Sequence, residues 1–286
     1  MNINFVKMQG TGNDYLYIDC FNQDIKLSFE QIARLSDRRF GVGGDGVIFV
    51  RRSECADGLM DMYNADGSCG IMCGNGVRCV GKFLFDRGRC CRSALIETRG
   101  GIKSLEITVG EDDLASGASV EMGHAVIDCQ KIPVLWDSCN VDIPIFAAGR
   151  EWKFTAVSMG NPHAVIFCEE NIDGFDLEKI GPEFERHPMF PERMNTEFVN
   201  LLDDGALKMR VWERGSGETL ACGTGACAVA VAAVQRGLVK TGAETSVRPP
   251  GGELSVVVRA DFSVRMTGDA NEVFTGSVDI PEHGWS

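Results

Sequence analysis

The chain contains two short glycine boxes that each begin with cysteine, and the second follows the first by 149 residues. They are Cys73-Gly74-Asn75-Gly76 and Cys222-Gly223-Thr224-Gly225, and each runs directly into an apolar stretch that predicts a helix. Other landmarks recur at the same or nearly the same spacing: Asn64 with Glu213, Gly46 with Asn195, and Gly12-Asn13 with Gly160-Asn161. Landmarks repeated in the same order predict a duplicated scaffold.

The helix after the second box restricts the fold further. Residues Ala226–Val234 are apolar on every face, so this helix must be enclosed on all sides. A curved sheet wrapped around a central helix meets that requirement. Each half otherwise mixes short strands with few helices, which predicts an α+β fold; the four predicted helices span 29–35, 75–85, 177–185 and 224–235.

The boundary between the two halves is predicted near Met122-Gly123-His124, after a strand-like segment at 118–121. The sequence therefore predicts an N-terminal lobe over 1–122, which carries Cys73, and a C-terminal lobe over 123–268, which carries Cys222. The tail 269–286 is predicted to return to the first lobe. No linker rich in serine or proline separates the lobes, so we expect a cleft between them.

Composition narrows the possible partners. The 286 residues carry a net charge of -13, and nucleic acids and anionic membranes both require a basic surface. A small-molecule substrate and a second copy of the chain, as a homodimer, remain the expected partners. The opening Met1–Lys7 lacks an export signal and the longest apolar run, Ala226–Val234, is too short to span a bilayer, so we expect a cytoplasmic protein.

The 12 cysteines do not predict a metal site. Zinc sites pair C-x2-C knuckles, whereas the spacings here are Cys69-x3-Cys73, Cys73-x5-Cys79 and Cys222-x4-Cys227. A cytosolic chain of this size keeps its thiols reduced. We therefore expect neither a structural metal nor a disulfide framework.

Cysteine at a helix start has a chemical meaning. The positive end of the helix dipole and the unpaired backbone amides there favour a thiolate and also bind carboxylates. An isolated thiol is only about 3% ionised at pH 7, and a favourable helix terminus lowers its pKa by roughly 1.5 units. Two such thiols would share one proton, which suits a reaction in which one removes a proton and the other delivers one.

Five sequence blocks, in order, resemble the diaminopimelate epimerase family along nearly the whole chain. They are Met8–Tyr15 (MQGTGNDY), Tyr63–Ser68 (YNADGS), Met72–Cys79 (MCGNGVRC), Ser158–His163 (SMGNPH) and Trp212–Gly225 (WERGSGETLACGTG). The resemblance implies two pseudosymmetric lobes, each a mixed sheet around a central helix. It also implies cofactor-independent interconversion of LL- and meso-diaminopimelate, with Cys73 and Cys222 as the two catalytic bases.

The remaining site residues follow from the helix starts and from the resemblance. Backbone amides of Gly74, Asn75, Gly223 and Thr224 are expected to grip the reacting carboxylate and to stabilise the carbanion. By resemblance, His163 and Glu213 adjust the acidity of the thiols. The resemblance also implies side-chain contacts to substrate, chiefly at its distal end, from Asn13, Asn64, Asn161, Asn195, Glu213 and Arg214.

Some features depart from the family pattern or leave other functions open. Gly46 stands where some members have a substrate-contacting glutamine, the adjacent Cys90 and Cys91 have no explanation, and the tail 282–286 is longer. A proline or hydroxyproline racemase would also use two cysteines but carries histidine in place of Asn75. A thiol-disulfide redox protein or a non-catalytic amino-acid-binding protein is also compatible. Exchange of the substrate α-hydrogen with heavy water separates these possibilities.

Overall fold

The computed structural model describes residues 1–281, and contacts within the chain divide it into two compact units. Unit 1 comprises Met1–Val120 and the segment that begins at Gly268, and unit 2 comprises Glu121–Thr267. The boundaries predicted from the sequence fall after residues 122 and 268. Of the predicted tail 269–286, residues 282–286 lie outside the described part of the chain.

Unit 1 contains most of the first half of the chain and one late strand. Its elements are β1 (Asn2–Gly10), β2 (Asn13–Cys20), α1 (Phe29–Ser36), β3 (Gly46–Arg51), β4 (Gly58–Asn64), α2 (Gly74–Phe85), β5 (Ser93–Thr98), β6 (Gly101–Val109), the first part of β7 (Ala115–His124), and β17 (Asn271–Asp279). The strands pair in the order β17-β1-β2-β3-β4-β5-β6-β7. Two of these pairings, β2 with β3 and β4 with β5, are parallel, so the sheet is mixed.

Unit 2 repeats this plan. Its elements are β8 (Ile143–Ala147), β9 (Arg150–Ser158), β10 (Pro162–Phe167), α3 (Leu177–Glu185), β11 (Asn195–Leu201), β12 (Leu207–Glu213), β13 (Gly217–Thr219), α4 (Gly223–Gln235), β14 (Glu244–Arg248), β15 (Leu254–Val258) and most of β16 (Ser263–Asp269). The strands pair in the order β8-β9-β10-β11-β12-β14-β15-β16, again with two parallel pairings, β10 with β11 and β12 with β14.

The two units therefore share one sequence of antiparallel and parallel pairings. The elements β4, α2 and β12, α4 begin 149 residues apart, and β1 and β9 begin 148 residues apart. The strand register also repeats. In unit 1 Gly46 pairs with Asn64. In unit 2 Thr196 pairs with Trp212, and the same register continued by one residue aligns Asn195 with Glu213. The predicted α+β class with a pseudosymmetric repeat is confirmed.

Each unit encloses one helix. In unit 1 the strands β1, β2, β4, β5 and β6 contact α2, and in unit 2 the strands β9, β10, β11, β12, β14 and β15 contact α4. Residues 225–233 of α4 are all buried, and they are glycine, alanine, cysteine and valine. Small side chains let strands approach the helix from every direction, which is why this stretch is apolar all round. None of the helices within residues 1–281 has the length and apolar character needed to cross a membrane.

A second helix covers the other face of each sheet. Val47 and Phe49 of β3 join the apolar cluster that contains Ile32 of α1, whereas the alternate residue Ile48 points toward α2 at Gly76. In unit 2 the ring of Phe184 in α3 packs edge-on against Phe198 of β11, with centroids 5.3 Å apart. This packing holds the sheet fixed while its inner face positions the start of the enclosed helix.

Candidate active site

Cys73 lies at the start of α2 with an extended backbone, φ -130° and ψ 120°. Its sulfur accepts a hydrogen bond from the backbone N–H of Gly76 at 3.4 Å, so the cysteine caps the helix. Its thiol donates to Oδ1 of Asn13 at 3.0 Å. The residue is half-buried, so a ligand can reach the sulfur.

Asn13 is held in turn by a charged cluster. Its Nδ2 donates to Asp45 Oδ2 at 2.6 Å, which fixes Oδ1 toward the thiol. Arg38 bridges Asp45 at 2.9 Å and Asp14 at 2.6 Å, and Lys7 pairs with Asp14 at 2.5 Å. Burial alone would raise the pKa of Asp14, but hydrogen bonds from Arg38 and Lys7 hold it below its usual value. The Asp14 carboxyl is therefore ionised near neutral pH, and the cluster orients Asn13.

Tyr15 also lies beside the first thiol. Its ring is buried, and its hydroxyl makes hydrogen bonds with Asn13 and Cys73. Burial, together with the nearby Cys73, raises the pKa of Tyr15 well above its usual value, so the phenol stays protonated. The first thiol thus has an amide oxygen and a phenol as its polar neighbours.

Three other residues of unit 1 that the sequence singled out have surroundings of their own. Asn75 is buried in the first turn of α2 and its Oδ1 accepts from Arg78 Nη1 at 3.0 Å. Asn64 ends β4 and donates through Nδ2 to Ser68 Oγ at 2.9 Å, within its own turn. Gly46 pairs with Asn64, and its φ of 153° and a Cβ position 2.0 Å from Tyr63 O show that no side chain fits there.

Cys222 occupies the equivalent position in unit 2, at the start of α4. Its sulfur accepts from the backbone N–H of Gly225 at 3.4 Å and lies 3.4 Å from Thr224 Oγ1. Unlike Cys73, it is buried. Burial, reinforced by the nearby carboxylates of Glu213 and Glu197, raises the pKa of Cys222 well above its usual value. This sulfur therefore carries a proton near neutral pH.

Glu213 ends β12 beside this thiol. Its Oε1 accepts from Thr219 Oγ1 at 2.5 Å, and a second hydrogen bond comes from the Cys222 thiol. Withdrawal from water raises the pKa of Glu213, while these two hydrogen bonds and the nearby His163 oppose the rise. The Glu213 carboxyl is thus positioned to exchange a proton with the Cys222 sulfur.

A second carboxyl at this site, Glu197 of β11, was not found from the sequence. It is fully buried, and its Oε1 lies 2.6 Å from His163 Nδ1. The other ring nitrogen of His163, Nε2, lies 3.1 Å from Asn161 Oδ1. Glu197 is the one charged residue of β11, a mostly buried strand, and the repeat spacing of 149 makes it equivalent to Ile48 of unit 1, which is the signal that would have marked it as unusual.

Asn195 and Arg214 lie near the ends of the neighbouring strands. Asn195 is buried and its Oδ1 accepts from the backbone N–H of Arg214 at 2.8 Å, so it shapes the turn after β12. The exposed Arg214 guanidinium donates to Glu192 O at 3.1 Å and retains donors that can face a carboxylate. The structure thus brings Asn161, His163, Glu213, Cys222 and Thr224 into one cluster and places Arg214 at its edge.

The two helix starts also offer backbone donors. The first intrahelical hydrogen bonds are donated by Val77 to Cys73 O and by Ala226 to Cys222 O, both at 2.9 Å. The amides of Gly74, Asn75, Gly223 and Thr224 precede those bonds and point along the helix axes. Each start can therefore hold an anionic group next to its sulfur.

Comparison with known proteins identifies the relatives of this chain. The family model described as Diaminopimelate epimerase matches residues 5–127 and 155–273. A diaminopimelate epimerase of Leptospira biflexa is 49% identical over 283 residues, which cover 98% of this chain and 100% of that protein. A diaminopimelate epimerase of Acetivibrio thermocellus is 48% identical over 286 residues, which cover 97% of this chain and 99% of the relative.

Solved structures share the fold at low identity. A phenazine biosynthesis protein of the PhzF family from Bacillus anthracis superposes with a TM-score of 0.70 at 18% identity, covering 98% of this chain and 100% of that chain. A hydroxyproline epimerase from Agrobacterium vitis, with bound trans-4-hydroxy-L-proline, gives 0.66 at 15% identity, covering 97% and 92%. These likenesses show the fold alone.

The repeated fold and the close relatives place the chain among the isomerases, as an epimerase. More particularly, the family model covers most of its length and full-length relatives are nearly half identical to it. The chain belongs to the diaminopimelate epimerase family.

Proposed function

We propose that this chain interconverts LL- and meso-diaminopimelate without a cofactor, at a step that supplies lysine and peptidoglycan precursors. The observation that carries the proposal is the pair of cysteines at equivalent positions of the repeat, each at the start of an enclosed helix. The names of the nearly full-length relatives support the substrate.

In the proposed reaction, one sulfur as thiolate removes the α-proton and the other sulfur as thiol delivers a proton to the opposite face of the carbon. The direction of reaction determines which cysteine plays which part. In the free protein Cys222 holds the proton, because its pKa is raised by burial and by two neighbouring carboxylates. Glu213 and His163 adjust the acidity of that sulfur, in keeping with the contact of Glu213 to Cys222.

The substrate is held at both ends in this proposal. The amides of Gly74, Asn75, Gly223 and Thr224 bind the reacting carboxylate and stabilise the negative charge that develops on the carbanion. The distal amino-acid group is bound by side chains, with Arg214 facing its carboxylate. The other proposed contacts are Asn13, Asn64, Asn161, Asn195 and Glu213.

We further propose that the enzyme acts in the cytoplasm as a homodimer and needs neither pyridoxal phosphate nor a metal ion. The net charge of -13 argues against nucleic-acid and anionic-membrane partners. Dialysis against a chelator and hydroxylamine treatment are expected to leave turnover unchanged.

The deciding experiment is incubation with meso-diaminopimelate in heavy water, without added pyridoxal phosphate or metal. Deuterium uptake at the α-carbon together with formation of the LL isomer supports the proposal. Preferred turnover of proline would instead indicate a racemase of the proline type. Binding of diaminopimelate without exchange would indicate a binding protein. The absence of both exchange and binding would be consistent with a redox role.

Substitution of the sulfurs tests the two-base assignment. We expect Cys73→Ser and Cys222→Ser each to lower kcat by at least about 100-fold, because a hydroxyl is a far weaker acid than a thiol. Circular dichroism is expected to stay unchanged. The exposed Cys91→Ser and Cys139→Ser variants are the matched controls, one in each unit. Near-normal turnover in either active-site variant would refute the assignment.

A further inference from the structure

Glu197, a buried group beside the second thiol, raises the pKa of Cys222 and also faces the ring of His163. Glu197 is fully buried, and a buried carboxylate is costly unless it is paired. Its Oε1 has His163 Nδ1 at 2.6 Å, while its Oε2 has no hydrogen-bond partner within the described residues. The imidazole ring is therefore the group that compensates this carboxylate.

Two contacts of the ring bear on where its protons lie. Both ring nitrogens of His163 face oxygen acceptors, Nδ1 toward the Glu197 carboxylate and Nε2 toward the Asn161 side-chain oxygen at 3.1 Å. A neutral imidazole has one N–H, so it could satisfy both contacts only if the Glu197 carboxyl itself carried a proton. An imidazolium satisfies both and also balances the charge of Glu197.

The other titratable groups around the ring are consistent with a cation at this place. Glu197 reaches it from β11, Glu213 faces it from β12, and Cys222 lies at the start of α4. On β9 the residue opposite His163 is the uncharged Val157. Two carboxyls and one thiol surround one ring, so a proton on the ring lowers the total electrostatic cost.

A proton on the His163 ring would affect the substrate through the side chain of Asn161. When Nε2–H donates to Oδ1, the amide NH2 of Asn161 must point away from the ring. An amide turned this way offers a donor to a carboxylate. With a neutral ring whose Nε2 is bare, the amide would turn over and offer an acceptor instead.

We propose that Glu197 is a positioning residue that holds His163 as an imidazolium, and that this ring fixes the Asn161 amide with its NH2 directed at a carboxylate of the bound amino acid. The first part concerns the free protein. The last part rests on the proposed function, because it takes Asn161 as a substrate contact.

The repeat provides a comparison inside the same chain. Tyr15 of unit 1 corresponds to His163 by the spacing of 148, and Ile48 corresponds to Glu197 by the spacing of 149. The position next to the first thiol thus has a phenol backed by an apolar side chain, whereas the second has a ring backed by a carboxylate. The pair of Glu197 and His163 therefore belongs to the site of the second thiol and does not follow from the repeated fold.

The ring can be observed directly in the free protein. Nitrogen-15 NMR of labelled protein at about pH 8, above the usual range for histidine, is expected to show two protonated nitrogens for His163. In Glu197→Gln at the same pH, one nitrogen is expected to show the shift of a bare imidazole nitrogen. Assignment uses the His163→Gln spectrum. A bare nitrogen in the unsubstituted protein would overturn the proposal, whatever the variants do.

Kinetics test the path through Asn161. Glu197→Gln is expected to raise KM for diaminopimelate about 10-fold, since a binding contact is lost. Glu197→Asp keeps the carboxylate and is expected to recover part of the loss. The double variant Glu197→Gln/Asn161→Ala is expected to have the same KM as Asn161→Ala alone. Additive effects on KM would show that Glu197 does not act through Asn161.

Thr196→Val is the matched control, because Thr196 precedes Glu197 in β11, is buried, and has a hydroxyl without a hydrogen-bond partner within the described residues. It is expected to leave both the ring signals and KM unchanged. The NMR measurement needs no substrate, so it decides the state of the ring even if the protein proves not to epimerise diaminopimelate. An unfolded Glu197→Gln variant would still leave the spectrum of the unsubstituted protein as the test.

Discussion

At the scale of single residues, the two repeated cysteines have different surroundings. Cys73 is half-buried and donates to an amide oxygen, whereas Cys222 is buried beside Glu213 and Glu197. Both sulfurs cap a helix in the same way, so the difference comes from neighbouring side chains and not from the backbone. One scaffold therefore presents a half-buried sulfur at Cys73 and, at Cys222, a buried sulfur whose pKa is raised by its surroundings.

This difference predicts selective alkylation. With limiting iodoacetamide at about pH 7.5, we expect Cys73 to react at least about 10-fold faster than Cys222, because only the thiolate attacks and Cys222 is buried and protonated. Peptide mass spectrometry after short exposures gives both rates. The exposed Cys139 calibrates the reagent. Faster modification of Cys222 would show that this thiol is not buried in solution.

The sequence allows a site residue to be predicted where it stands in a motif. Cys73 and Cys222 could be selected because each begins a glycine box before an apolar helix, and helix capping by a cysteine has a local signature. The contact of Glu197 with His163 could not be predicted, because the two residues are brought together only by the parallel pairing of β10 with β11. A contact between residues of two paired strands cannot be recognised from the residue spacing within either strand.

At the scale of elements, helices were predicted more accurately than strands. α3 was predicted with its observed bounds, and α4 begins one residue earlier than predicted. No strand was predicted at β8, β13, β14, β16 or β17. In β17 most side chains are exposed, including Val273 and Phe274, so alternation between apolar and polar residues is absent and only pairing with β1 makes it a strand.

The two helix starts predict different tolerance to one added methyl group. At Gly76 a Cβ would meet Met60 Cε at 2.9 Å and Ile48 Cδ1 at 3.1 Å, which are flexible side-chain ends. At Gly225 it would meet Glu197 Oε1 at 2.7 Å, an atom held by His163. We expect Gly76→Ala to change the free energy of unfolding by less than about 1 kcal/mol and Gly225→Ala to lower it by about 2 kcal/mol or more.

Urea denaturation of both variants measures the difference, and each serves as the control for the other at equivalent positions of the repeat. Gly225→Ala is also expected to lose turnover, since the buried carboxyl must move away from the sulfur. Equal stability of the two variants would mean that Glu197 can shift without cost.

At the scale of the whole molecule, buried thiols make stability depend on alkaline pH. Burial raises the pKa of Cys79 to about 12 and that of Cys222 well above its usual value. The folded chain keeps these protons at pH values where the unfolded chain releases them. The contribution of these thiols to the free energy of unfolding is therefore complete below the ordinary pKa range of a thiol. It falls as the pH rises toward their raised pKa values in the folded chain.

The expected fall between about pH 7.5 and 9.5 is about 1 kcal/mol for each of these thiols. Urea titrations at the two pH values measure it. Cys79→Ala is less stable at both, but its fall with pH is expected to be about 1 kcal/mol smaller than that of the unsubstituted protein. Cys139→Ala, at an exposed position, is expected to keep the full fall. An undiminished fall in Cys79→Ala would contradict this account.

The position of β17 determines when each unit can be completed during synthesis. Unit 2 is one continuous stretch, Glu121–Thr267, whereas unit 1 needs β17 to cover the edge of its first strand, β1. A ribosome therefore finishes the whole of unit 2 while β1 still exposes unpaired backbone groups, and those groups find their partner only after residues 271–279 have emerged. The half of the protein that is translated first is the half that matures last.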